Sequence, residues 1–264
     1  MFRSVFLKDL RDQRRSVAGW GVGILVMTAV MAWVWPSVRD FPNFDEFIAA
    51  YPEPMRELFN IESMTTGVGF LNAELFSIML PLAFIIFGIS RGARLIAGEE
   101  EAGTLEVVIT TGLPRIRLLL EKAAALVVAL VALAAITFAS TYLLAAVVDM
   151  GVGLSDAAVG TMSVLLLGIE FGLAALAVGA VTGKRSWAMG AGIGVAVAAY
   201  LLYLVGALVS SVEPWRIASP FHQALEAGPL GGGWTGGMIW MVVVAVAVTV
   251  ASLRPFDRRD IAIG

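Results

Sequence analysis

Long apolar runs alternate with shorter polar segments along the whole chain. Six of these runs approach or exceed the 20 or so apolar residues that a helix needs to cross a bilayer core of about 30 Å. They cover about residues 17–35, 70–90, 120–148, 157–182, 186–212 and 234–253. Their valine, alanine and leucine residues would also suit buried strands, but runs of this length favour helix. The pattern therefore predicts an all-α, polytopic membrane protein with six transmembrane helices in a single transmembrane domain, 1–264.

The composition supports a membrane protein and excludes several other classes. Hydrophobic residues make up 59% of the chain and charged residues 15%, against roughly 45–50% and 25% in soluble domains, and the mean hydropathy is +0.86. A net charge of −3 leaves no basic face for nucleic acid. The chain has no cysteine and one histidine, His222, which excludes disulfides, a cysteine nucleophile and a multi-histidine metal site.

The distribution of basic residues predicts the orientation in the membrane. All but three of the 18 lysines and arginines lie before the first run, from the end of the second run to residue 122 at the start of the third, between the fourth and fifth, or after the sixth. The other three are Arg39, Arg56 and Arg216. Basic residues are enriched in cytoplasmic segments, so both termini are predicted to be cytoplasmic in a multi-pass protein of the cell membrane.

The first 16 residues are predicted to form an amphipathic helix that is not cleaved. Phe2, Phe6 and Leu10 recur every four residues, and Arg3 and Lys8 lie on the opposite face. This pattern is typical of a helix lying in the membrane interface. We therefore expect a separate interfacial helix at 1–16, ahead of the first span.

The segment between the second and third runs combines acidic residues with a short apolar helix. Three consecutive acids, Glu99, Glu100 and Glu101, precede a candidate helix at 105–110. Thr104 is expected to cap the N-terminus of that helix, and Glu106 in its first turn complements the helix dipole. We predict that this segment is a docking surface on the cytoplasmic side.

At these residues the sequence resembles the permease subunits of the ABC-2 family of ATP-binding-cassette transporters. The residues 98–106, Gly-Glu-Glu-Glu-Ala-Gly-Thr-Leu-Glu, are similar to the family element Gly-Glu-Glu-x-x-Gly-Thr-Leu-Glu. Ser219-Pro220-Phe221 before the sixth run and the terminal stretch 256–261 also fit, whereas Gly112 stands where the family usually has proline. In that family the element is the coupling helix that contacts the ATPase. The resemblance thus assigns this role to Gly98, Glu99, Glu100, Glu101, Gly103, Thr104, Leu105 and Glu106.

The resemblance implies the membrane subunit of an exporter of the type V architecture. Two copies, or this chain with a paralogue, would form the translocation path in contact with membrane lipids, above two ATPase subunits. The chain lacks a phosphate-binding loop, since the nearest approach, residues 179–185, is one residue short and has arginine in place of the hydroxyl residue. ATP and Mg²⁺ would therefore be bound by the partner ATPase, and this chain is not predicted to be an enzyme by itself.

One acid lies in the middle of a predicted span and leaves alternatives open. Glu170, in the fourth run, either lines the translocation path or a subunit interface, or is a buried, hydrogen-bonded carboxyl. An ion- or proton-driven secondary transporter would use Glu170 as its ion site, and an ABC-type subunit could instead transmit force without a translocated substrate. An intramembrane protease is disfavoured, because His222 alone supplies neither a serine–histidine pair within the spans nor a His-Glu-x-x-His metal motif. The sequence does not identify the substrate.

Overall fold

The computed structural model describes residues 4–41, 65–105 and 113–260, and within these ranges the chain is helical with short connections and no strand. Six helices are long and apolar enough to cross a membrane, which confirms the predicted all-α class and the number of spans. Between the fifth and the sixth of these long helices lie a 3₁₀ turn, Glu213–Ala218, and one short helix. The helices are α1 (Val5–Arg39), α2 (Gly67–Glu101), α3 (Arg115–Val147), α4 (Leu154–Thr182), α5 (Arg185–Leu208), α6 (Pro220–Leu225) and α7 (Gly236–Arg258).

Helix α1 is one continuous helix, where the sequence predicted a separate interfacial helix at 1–16. Its N-cap is Ser4, whose hydroxyl oxygen accepts a hydrogen bond from the amide of Leu7. At 1.5 Å per residue its 35 residues extend for about 52 Å, well beyond a bilayer core. The buried side chains in its first turns are the polar Asp9 and Gln13, while Leu7 is exposed. This segment therefore packs against the protein through Asp9 and Gln13, whereas Phe6 and Leu10 of the expected apolar face are partly buried.

Helix α2 contains two π-helical segments, at Asn72–Met79 and Arg94–Gly98. Such segments are rare and are often found at functional sites. The second one carries the helix on past the predicted end of the span at 90, so that Glu99–Glu101 form its last turn. The sequence suggested that these three acids precede a separate short helix. In the structure they form the end of the long transmembrane helix α2.

Helix α4 is the central helix of the bundle and packs against α2, α3, α5 and α7. Its contact with α2 is made by two pairs of glycines, Gly88 and Gly92 on α2 and Gly168 and Gly172 on α4. A Cβ on Gly88 would overlap the carbonyl oxygen of Gly168. The two backbones therefore touch, as small residues four apart permit.

The end of the bundle opposite the acids is closed by buried polar contacts. Asn72, in the first π segment, donates to the carbonyl of Leu230 and accepts from its amide, both at 2.8 Å. Ser219 caps α6 by accepting from the amide of Phe221 and donates to the carbonyl of Ala199 at 2.8 Å. The segment after α5 forms the 3₁₀ turn and α6.

Candidate functional site

Ion pairs collect the ends of several helices around the last turn of α2. Glu99 binds two lysines from different helices, accepting from Lys8 Nζ of α1 at 2.8 Å and from Lys122 Nζ of α3 at 2.7 Å. The Glu99 side chain is 16% exposed, so these charge-assisted contacts are partly shielded from water and stronger than surface pairs. The carboxylate of Glu99 therefore connects α1, α2 and α3.

Lys122 is the most deeply buried charge in this cluster. Its side chain is 0% exposed, and it also donates to Asp9 Oδ2 of α1 at 3.3 Å. Asp9 is itself buried. Both carboxylates around Lys122 are needed to offset the cost of removing an ammonium group from water.

The other two acids contact the chain further along. Glu100 forms an ion pair with Arg259, which directly follows α7. Glu101 accepts a hydrogen bond from the backbone amide of Arg185, the first residue of α5, at 2.8 Å. We call the residues Glu99, Glu100 and Glu101, with Lys8, Lys122, Arg185 and Arg259, the acidic clasp. It brings the start of α1, the end of α2 and the end of α7 to the same end of the bundle.

Three of the predicted site residues follow the clasp directly. Gly103 ends α2 with a φ of +68°, a left-handed conformation that favours glycine after a helix C-terminus. Thr104 donates from its hydroxyl to the carbonyl of Glu99 at 3.1 Å and is already helical. The amides that it would accept from as an N-cap belong to residues 106–112, outside the described residues. Leu105 is fully buried, and Glu106 lies outside the described residues.

The sequence reasoning missed the basic partners and Asp9. Lys122 was counted only as one of the cytoplasmic basic residues. A signal was available, because Lys122 lies between Leu118 and Leu126 at four-residue spacing, on the face that the structure buries. A lysine on a buried helix face requires an acidic partner nearby.

Glu170 lies apart from the clasp, about 18 Å along α4 from its C-terminal end at Thr182. Its side chain is buried at 9% exposure, and its Oε2 atom has no hydrogen-bond partner among the described residues. The described ranges contain no group of three or more histidine and acidic residues able to hold a metal.

These features define a helical, multi-pass membrane protein in which ion pairs hold several helices together at one end of the bundle. The chain belongs to the ABC-2 family of transporter proteins, because the family model described as ABC-2 family transporter protein matches residues 3–261, nearly the whole sequence. It is thus a membrane permease of an ABC transporter, a class that works with an ABC ATPase. A comparison with curated proteins finds no match to this chain.

Proposed function

We propose that this chain is the permease subunit of an ABC exporter in the cell membrane, with the clasp and both termini cytoplasmic. The observation that carries the proposal is the acidic clasp, which connects residues 98–105 to four other helices. A displacement of this segment would be transmitted directly to α1, α3, α5 and α7. Closure of two ATPase subunits on ATP would supply that displacement and switch the exposure of the path.

The structure divides the predicted coupling residues into two groups with different roles in this proposal. Glu99 and Glu100 are engaged within the chain, so we assign them to positioning. Glu101 is exposed, and together with Glu106 it is assigned to contact with the ATPase. We assign the chain to the type V architecture, in which a second copy or a paralogue would complete the path. Helix α5 supports this pairing because most of its apolar surface is uncovered in the single chain.

The coupling assignment is tested by reversing the charge of the two acids assigned to the ATPase contact, of which Glu101 also accepts a hydrogen bond from the amide of Arg185. We expect Glu101→Lys/Glu106→Lys to insert normally but to reduce co-purification of the ATPase subunit about tenfold or more, because opposed like charges at an interface cost several kcal/mol. The measurement is the ratio of ATPase to permease recovered from membranes.

The control is Glu213→Lys, which reverses the charge of one exposed acid at the other end of the bundle. It should leave the ratio unchanged. Full recovery of the ATPase with Glu101→Lys/Glu106→Lys would remove this segment from the interface.

We further propose that Glu170 is a polar point on the translocation path or at the subunit interface. Its buried position and its unpartnered oxygen support a group that finds its partner in another state or in another subunit. We expect Glu170→Gln to assemble normally and to lower permease-stimulated ATP hydrolysis severalfold in reconstituted complexes.

The control for Glu170 is Glu74→Gln, a half-buried acid in the first π segment of α2, which should hydrolyse ATP at the normal rate. Normal hydrolysis with Glu170→Gln would make Glu170 a tolerated core acid. A permease that never stimulates the ATPase would instead favour an ion-driven transporter.

A further inference from the structure

A charged groove of about 590 Å³ opens beside the clasp, between the first turns of α1 and the last turns of α2. Six basic and three acidic side chains line it. Two of the acids, Asp9 and Glu99, are already paired with Lys122 and Lys8. The lining has twice as many basic as acidic side chains, so the groove carries a net positive charge.

Two residues in the groove have buried polar atoms without a partner. Gln13 is 1% exposed, and both its amide nitrogen and its amide oxygen lack a hydrogen-bond partner among the described residues. The Nε atom of Arg91, a half-buried residue, also lacks a hydrogen-bond partner among the described residues. Buried polar atoms in native proteins are nearly always hydrogen-bonded, and unpaired ones often contact an ion. Guanidinium groups and a neutral amide beside them together supply hydrogen-bond donors that suit the oxygens of a phosphate.

The position of the groove along the helices indicates where the phosphate comes from. Arg91 and Arg94 directly follow the apolar run 70–90, and Gln13, Arg14 and Arg15 directly precede the run 17–35. These residues therefore lie at the depth of the lipid headgroups. Basic pockets between transmembrane helices at this depth bind anionic headgroups. Beyond the groove, α1 presents exposed apolar side chains that can lie along acyl chains, including Val22, Leu25 and Val26.

We propose that this groove binds the phosphate of an anionic phospholipid headgroup. Arg91 and Arg94 from α2, Arg14 and Arg15 from α1 and the amide of Gln13 supply the donors. Placing the groove in the cytoplasmic leaflet rests on the orientation given above, whereas binding itself does not. The lipid would join α1 to α2 one turn before Glu99, and so would fix the geometry of the clasp.

The test is native mass spectrometry of the purified full-length chain in detergent, titrated with phosphatidylglycerol or phosphatidylcholine. We expect phosphatidylglycerol to bind at least about tenfold more tightly. Arg91→Gln/Arg94→Gln should weaken its binding about thirtyfold, because each basic residue near the headgroup contributes about a factor of five. The control, Lys184→Gln/Arg258→Gln, removes two charges from exposed positions at the same end outside the groove and should change affinity less than about twofold.

A second variant separates binding from folding. Gln13→Leu keeps the approximate size of the side chain and removes the two unpaired atoms, so thermal stability should be unchanged or higher while affinity for phosphatidylglycerol falls severalfold. Unchanged affinity in this variant and in the double arginine variant would overturn the proposal. If excess inorganic phosphate displaced phosphatidylglycerol, the ligand of the groove would be free phosphate and not the headgroup of a lipid. Loss of ATPase co-purification with intact lipid binding would assign the groove to the protein partner.

Discussion

Replacing Lys122 with methionine is expected to destabilise the protein by about 3–5 kcal/mol, because it removes the nearer of the two cations that face the buried Asp9 and leaves only Lys8 Nζ, at 3.8 Å from Asp9 Oδ1. Asp9 is 2% exposed and therefore has little access to water in place of the lysine. Glu99 would lose the contact at 2.7 Å that connects it to α3. The measurement is the midpoint of thermal unfolding of the purified protein in detergent, together with its yield from membranes.

The variant Lys122→Met/Asp9→Leu should recover much of the lost stability. It removes both buried charges, and well-packed apolar replacements of a buried pair are often neutral, while Glu99 keeps Lys8 as a partner. Lys184→Met, at an exposed position of the same end of the bundle, should unfold like the unmodified protein. If Lys122→Met and Lys184→Met unfold at the same temperature, Lys122 does not stabilise the fold as an ion-pair partner.

The sequence was sufficient to predict the six membrane-spanning helices, because each one requires about 20 consecutive apolar residues and few other structures use such runs. The ends of the helices were less predictable. The span predicted to end at residue 35 continues through Pro36 to Arg39 in the structure. The π segments of α2 depend on tertiary packing around them, and no local pattern indicated them.

The acidic clasp could not be derived from the sequence, although each of its acids was singled out. An acidic run next to an apolar helix reads as a solvated face, and its partners lie between 23 and 159 residues away along the chain. Lys8 was visible only on the polar face of the predicted interfacial helix, and Lys122 only as one of the basic residues on the cytoplasmic side. Which of them meets Glu99 depends on the way that α1 and α3 pack, and a local charge pattern does not contain that information.

The glycine pairs also show that a local sequence pattern does not identify the helix against which a motif packs. Gly168-x3-Gly172 and Gly190-x3-Gly194 are two of several such motifs in the sequence, and both allow close helix approach. In the structure the first pair contacts α2, whereas at Gly190 and Gly194 a Cβ would have no atom within 4 Å. The partner of the first pair is a third motif, Gly88-x3-Gly92, which the sequence analysis did not single out.

We expect Gly88→Ala/Gly92→Ala to destabilise the protein by about 3 kcal/mol or more. A Cβ at either position would overlap a backbone carbonyl oxygen of α4, that of Gly168 or Gly172. Backbone atoms cannot move aside as a side chain can, so the two helices would have to separate, and each overpacked site costs about 1–3 kcal/mol. Separation would also open the contact between α2 and the central helix. The measurement is again the midpoint of thermal unfolding in detergent.

Gly190→Ala/Gly194→Ala is the matched control, because it makes the same chemical change at the same spacing where the added methyl groups meet open space. In a helix, alanine is favoured over glycine by up to about 1 kcal/mol per residue, so this variant should be as stable as the unmodified protein or more stable. The two double variants are thus predicted to shift the unfolding midpoint in opposite directions. A rise in both would mean that α2 and α4 do not touch along their backbones, and that the packing of the central helix requires a different account.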